Sequence, residues 1–228
     1  MTSVQEILDR LRAKARPDQV AGMASYGMTP DRRLGVRVPD MRKLAKEIGK
    51  DHLLALALWK TGISEARIVA AMIDDPGELI GEQMDEWVKG FDSWDVCDQV
   101  CMNLFEKTPL AWSKIRDWAE REEEYVKRAA FALLACLAWH DKQAGDEQFI
   151  ALLTVVKGGA TDERNYVKKA VNWALRNIGK RNPHLNRVAI EAAKEIQQID
   201  SRAARWIATN AIKELESEAV QKRLSKGT

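Results

Sequence analysis

The run FDSWDVCDQV, residues 91 to 100, sets three carboxylates, Asp92, Asp95 and Asp98, around one tryptophan, Trp94. A carboxylate beside an aromatic wall can stabilise positive charge developing on a bound ligand, because the wall excludes water and strengthens the field. Helical spacing separates the three acids. With the apolar stripe drawn through Cys97, Val100, Cys101, Leu104 and Phe105, Asp92 or Ser93 falls at the N-cap, where a short acceptor binds unsatisfied first-turn amides. Asp95 then lies in the first turn, favoured by the positive end of the helix dipole. Asp98 lies beyond that turn, one helical turn after Trp94 on the same face. It is either a solvated or ion-paired acid or a working carboxylate held beside the indole.

A second set of residues suits contact with an anion. Trp173 has Lys169 four residues before it and Arg176 three after, so base, aromatic and base share one helical face. That order fits an aromatic contact to a sugar or base with phosphates paired on either side. The bland alternative is a core tryptophan, one of eight in the chain. Arg128, in YVKRAAF, could hold a phosphate with two parallel hydrogen bonds or pair with an acid nearby. The formal charge is only +2, but residues 125 to 228 hold half of the 36 bases and a third of the 34 acids. Within that half, residues 163 to 187 carry seven bases against Glu163 alone. This is the footprint of a polyanion site or a solvated basic face.

Other chemistries fit less well. There is no Walker-type or dinucleotide-binding glycine pattern, and GGATDE follows no strand. No serine sits in a nucleophile elbow, and His52, His140 and His184 have no evident cysteine or serine partner. Cys97, Cys101 and Cys136 lie in apolar stretches without CxxC spacing, which suits small core residues in a reducing compartment. Clustered metal ligands are lacking, so no metal or cofactor is expected. Met1 is followed by no basic region and apolar run, and no apolar segment is long enough to span a bilayer, so a cytosolic location without a membrane partner is expected.

The elements that must position these residues are helices. Almost every segment has apolar residues at helical spacing and none alternates with period two, so the fold is all-α. Glycine and proline mark breaks at 27–32, 38–40, 74–78, 107–109, 157–163 and 180–184. EYVKRAAFALL at 124–134 and NYVKKAVNWAL at 165–175 match at an offset of 41 residues, and SRAARWIATNAI at 201–212 repeats the pattern loosely. ISEARIVAAMI at 63–73 and SWDVCDQVCMNLF at 93–105 occupy equivalent places upstream. Paired helices recurring at roughly 30 to 45 residues are the signature of a HEAT-like solenoid, although a non-repetitive helical bundle remains an alternative. Stacking would bring Trp94, Asp98, Arg128, Lys169, Trp173 and Arg176 onto one concave groove. The expected organisation is a single α-solenoid domain over residues 1–228, with N-terminal helices at 1–60, HEAT-like repeats at about 61–216 and a short C-terminal tail.

With these residues assembled, the sequence resembles the AlkD-like family of DNA alkylation repair proteins, which are HEAT-like-repeat DNA glycosylases. The resemblance runs from YGMTPDRRLGVRVPDMRKLAKEIGK, beginning at Tyr26, through SWDVCDQV and VKRAAFAL to VKKAVNWALRNIGKRNP. It implies hydrolysis of the N-glycosidic bond of cationic alkylated purines, 3-methyladenine and 7-methylguanine, in double-stranded DNA. Asp98 would then be the catalytic aspartate and Trp94 its aromatic partner. Trp173 would be the second tryptophan at the lesion, Arg128 and Arg176 would be phosphate contacts with Lys169 beside them, and Tyr26 would be a further DNA contact. No departure from the family pattern is seen at the four central positions. A monomer is expected, since a duplex groove needs no second subunit. Two other functions share the scaffold: a non-catalytic protein binding damaged or branched DNA, and a protein-binding helical scaffold.

Overall fold

The structure is a computed structural model that describes residues 2–226. The described residues form helices and turns, with no strand. They divide into two compact units, the first ending at Ala111 and the second beginning at Trp112.

In the first unit, α1 (Val4–Arg12) and α2 (Pro17–Ser25) lead through an irregular segment to α3 (Val38–Ile48), α4 (His52–Trp59), α5 (Ser64–Ile73), α6 (Gly81–Lys89) and α7 (Trp94–Asn103), followed by a 3-10 turn at Phe105–Lys107. The VPD triplet starts α3 instead of separating two elements: Pro39 sits in the first turn, where its missing N–H leaves no intrahelical bond unmade. Helix α5 is the centre of the unit and packs against α1, α3, α4 and α7. Its run of alanines, Ala66, Ala70 and Ala71, is fully buried and lets neighbouring helices approach on several sides. Trp59 of α4 stacks on Trp87 of α6, with ring centroids 4.1 Å apart, and closes the other side of the core.

The second unit holds α8 (Ala111–Ala119), which begins at the boundary, then α9 (Glu124–His140), α10 (Asp146–Gly159), α11 (Asn165–Gly179), α12 (Pro183–Gln197), α13 (Arg202–Leu215) and α14 (Glu218–Ser225). Helix α11 packs against α9, α10, α12 and α13. The repeat inferred from sequence is visible in the bonds between α9, α11 and α13. Arg128 donates to the Tyr166 carbonyl, Asn172 donates to Asn210 and Arg176 pairs with Glu214, each across 38 residues. At the break anticipated over 157–163 the helix continues to Gly159. A Cβ at that position would lie 2.3 Å from the Phe131 ring, so glycine here serves a close approach of α10 to α9 rather than a turn.

All three cysteines are buried. No helix among the described residues is long and apolar enough to cross a membrane, and no cluster of three or more His, Cys, Asp or Glu among them could hold a metal ion.

Candidate functional site

Each unit contains part of the predicted set. The first holds Tyr26, Trp94 and Asp98; the second holds Arg128, Lys169, Trp173 and Arg176.

In the first unit the start of α7 is fixed by the segment that follows α2. Ser93 is the N-cap residue, with extended backbone, but its hydroxyl caps no amide of α7. That hydroxyl instead hydrogen-bonds the Asp95 carboxylate and accepts from the Arg33 guanidinium at 3.2 Å. Asp95 accepts two parallel bonds from Arg33, at 2.7 and 2.9 Å, and the Arg33 side chain is almost wholly buried. Asp95 therefore has a specific partner in addition to the helix dipole. Arg33 also donates to the Thr29 carbonyl at 2.8 Å, and the Thr29 hydroxyl donates to the Asp92 carbonyl at 2.5 Å. The Trp94 indole N–H donates to the Tyr26 carbonyl at 3.0 Å, which brings Tyr26 and Trp94 together while Tyr26 stays 76% exposed. Asp98, one turn further along α7, is half-buried.

The same segment is held from beneath by Glu65 of α5, a buried acid that is only 1% exposed. Its carboxylate accepts the backbone N–H groups of Leu34, Gly35 and Val36 at 3.0, 2.7 and 3.3 Å. Three amides converge on it because Gly35 takes φ +78°, and a side chain there would meet the Arg16 carbonyl oxygen at 2.5 Å. Sequence reasoning missed Glu65, Arg33 and Thr29. The one available signal was an acid, Glu65, in the first turn of SEARIVAAMI, a helix with seven apolar residues out of ten.

A shallow basic depression of about 310 Å³ lies elsewhere in this unit, lined by Arg42, Lys46, Lys50 and Lys107 with Asn103 at the end of α7. Burial lowers the pKa of Lys50, and repulsion from Lys107 adds to it against the pull of Asp75 and Asp74.

In the second unit Trp173 and Arg176 line one cleft of about 800 Å³. Trp173 is half-buried, and Arg176 donates to Glu214 and, at 3.3 Å, to the Asn172 carbonyl. Lys180 binds the other Glu214 oxygen at 2.8 Å. Burial works to raise the Glu214 pKa, but hydrogen bonds and charge from Lys180 and Arg176 outweigh it, so the carboxyl is held below its ordinary value. Lys169 is exposed and does not line this cleft. Arg128 is only 5% exposed and donates to the Tyr166 carbonyl at 2.6 Å, in a helix buried on nearly all sides. Beside it Tyr125 and Tyr166, at equivalent places in α9 and α11, stack with centroids 5.8 Å apart. Trp139, which sequence reasoning did not single out, also lines the cleft. Its signal was an indole at the end of a long apolar run, followed directly by His140, Asp141 and Lys142.

The described residues thus define an all-helical repeat protein whose candidate residues are an aromatic-flanked carboxylate and an aromatic, basic cleft. The model of the DNA alkylation repair enzyme family matches residues 7–215, and the chain belongs to that family. One solved structure, from a new family of proteins related to the HEAT-like repeat DNA glycosylases with affinity for branched DNA structures, superposes with a TM-score of 0.82 at 21% identity, covering 98% of this chain and 96% of that one. At that identity the likeness shows the fold, a HEAT-like repeat. A designed armadillo repeat protein in complex with the peptide (KR)4 gives a TM-score of 0.39 at 16% identity, over 92% of this chain and 96% of that one. Comparison with curated proteins finds no matching relative.

Proposed function

We propose that the protein is a DNA glycosylase that hydrolyses the N-glycosidic bond of cationic alkylated purines, such as 3-methyladenine and 7-methylguanine, in duplex DNA. The observation that carries the reading is the arrangement at α7: a half-buried Asp98 stands one turn after an indole whose position is fixed by the Tyr26 carbonyl. A purine alkylated at N3 or N7 is already a cation, so it can depart without a strong general acid. The bonding pair leaves with the base, which becomes neutral, and positive charge passes to the deoxyribose. Asp98 stabilises that oxocarbenium-like state and orients a water, whose oxygen bonds to C1′ as its proton passes to the carboxylate.

Trp94, beside Asp98, packs against sugar and backbone and attracts the cationic nucleotide through its ring face, and Trp173 enters the reading as a further aromatic contact to the DNA. Lys169 and Arg176 hold phosphates, and the basic depression of the first unit supplies further charge of the same kind. Tyr26 adds an exposed ring for DNA contact. Arg128 enters the reading as a phosphate contact made through the small part of its surface that solvent reaches. On this reading the protein works as a monomer on intracellular DNA and needs no cofactor.

The test is release of 7-methylguanine or 3-methyladenine from alkylated duplex DNA, followed by chromatography of the freed base. Asp98→Asn lowers the rate at least ~100-fold, by removing charge stabilisation worth about 3 kcal/mol, and leaves DNA affinity within about twofold. A second reading, a non-catalytic binder of damaged or branched DNA, is favoured by the affinity attributed to the structural neighbour. It requires that the wild type release no base and that Asp98→Asn change nothing.

A further inference from the structure

The cleft of the second unit has a feature that excision of a base does not use. Trp139, at the end of α9, is 56% exposed, although burying a large apolar ring is favourable. Its ring stacks on His140, with centroids 5.1 Å apart and planes 18° apart, so one face is covered and the exposure belongs to the rest of the ring. The turn that carries it is fixed by Arg181, which donates to the Ala138 and Ala144 carbonyls at 2.9 and 3.1 Å and lies over the Phe149 ring. Trp139 is therefore presented by a braced turn, together with Trp173 across an open space of about 800 Å³.

The charges around that space are set for an anion. Lys142 and Arg223 line it, and each gives a hydrogen bond to a backbone carbonyl, of Trp139 and of Lys180, rather than to an acid. Their charge is thus left available to a ligand. The one acid lining the cleft, Asp146, is engaged by Asn182 at 2.8 Å and by His184 at 2.9 Å.

We infer that this cleft binds unpaired nucleotides of a DNA strand, with a base stacked on Trp139 and the adjoining phosphates held by Lys142 and Arg223. Stacking selects the unpaired state, because within a duplex both faces of each base are covered by its neighbours and only an unpaired or terminal base offers a face to an indole. The inference rests on the DNA-binding part of the function proposed above. It adds a strand-separated segment, such as a tail or flap beside the duplex, to the ligand.

The test compares two fluorescently labelled, unalkylated DNAs by anisotropy: a blunt duplex and the same duplex carrying a single-stranded tail of a few nucleotides. Wild-type protein binds the tailed DNA about tenfold more tightly, from the stacking of one base. Trp139→Ala abolishes that preference while blunt-duplex affinity stays within about twofold, and Trp139→Phe retains most of it. The exposed position of Trp139 means that neither change opens the core. The inference is overturned if the wild type shows no tail preference, if Trp139→Ala keeps it, or if that variant weakens both DNAs alike. Failure of the wild type to bind either DNA would instead remove the DNA-binding reading, and this inference with it.

Discussion

At the scale of single residues, the most consequential charge in the first unit is one that touches no ligand. Glu65 is buried and accepts three backbone amides from Leu34, Gly35 and Val36. Replacing it with alanine leaves those donors buried without an acceptor, which costs roughly 3 kcal/mol. Glu65→Ala accordingly lowers the midpoint of thermal unfolding by about 6 to 12 °C, followed by circular dichroism. A shift below about 2 °C would show that solvent reaches these amides. Asp98, in contrast, carries chemistry in the proposed mechanism, and its substitution by asparagine acts on rate rather than on folding. The spacing of Asp98 from Trp94 could be read from ten residues of sequence. The bond from Trp94 to the Tyr26 carbonyl could not, because it joins positions 68 residues apart.

At the scale of elements, α9, α11 and α13 are held together by packing and by polar contacts at equivalent positions. One of those contacts, that of Arg176 with Glu214, and another in the turn before α11 use carboxylates whose pKa values are lowered. For Glu214 and Asp162, burial opposes ionisation, but bonds and charge from Arg176 and Lys180, and from Arg164 and Lys127, outweigh it. Because the folded-state values lie below those of the unfolded chain, the stabilisation is fully present above the ordinary carboxylate pKa of roughly 4 and is lost as pH falls through the lower folded values. Glu214→Gln therefore lowers the unfolding midpoint at pH 6, and the difference from wild type shrinks progressively as the pH falls below the ordinary carboxylate range. A difference that stayed constant from pH 6 to pH 3 would contradict the ion-pair account. The repeat of α9 and α11 was open to inference from their matched residues. The burial of Arg128 was not, since it depends on the helices that enclose α9 and leave only its edge in contact with water.

At the scale of the whole molecule, the proposed ligand is a polyanion and the chain carries 36 basic residues for a net charge of only +2. Affinity then depends on which bases meet phosphate. Removing one such base weakens binding to all sequences alike and reduces the slope of log affinity against log salt by about 1. Lys169→Ala and Arg176→Ala are each expected to do so in titrations between about 50 and 200 mM salt, and an unchanged slope in either variant would remove that residue from the interface. Arg176 is the more demanding case, because its loss also leaves Glu214 to pair with Lys180 without it.

What the sequence determined by itself was the helical class, the repeat and the type of residue at each candidate position. These follow from periodicities within a few turns and from similarity between segments, both of which are local properties. The tertiary structure decided which charges are spent inside the fold. Arg33 and Asp95 find each other across 62 residues, Glu65 takes its amides from about 30 residues upstream, and Trp139 is left exposed at the end of a helix whose Phe131, Leu133, Leu134 and Leu137 are enclosed. Burial is a property of what packs around a residue. Side chains of the same type and spacing can therefore become a clamp, a core contact or an open ring face only when distant helices arrive.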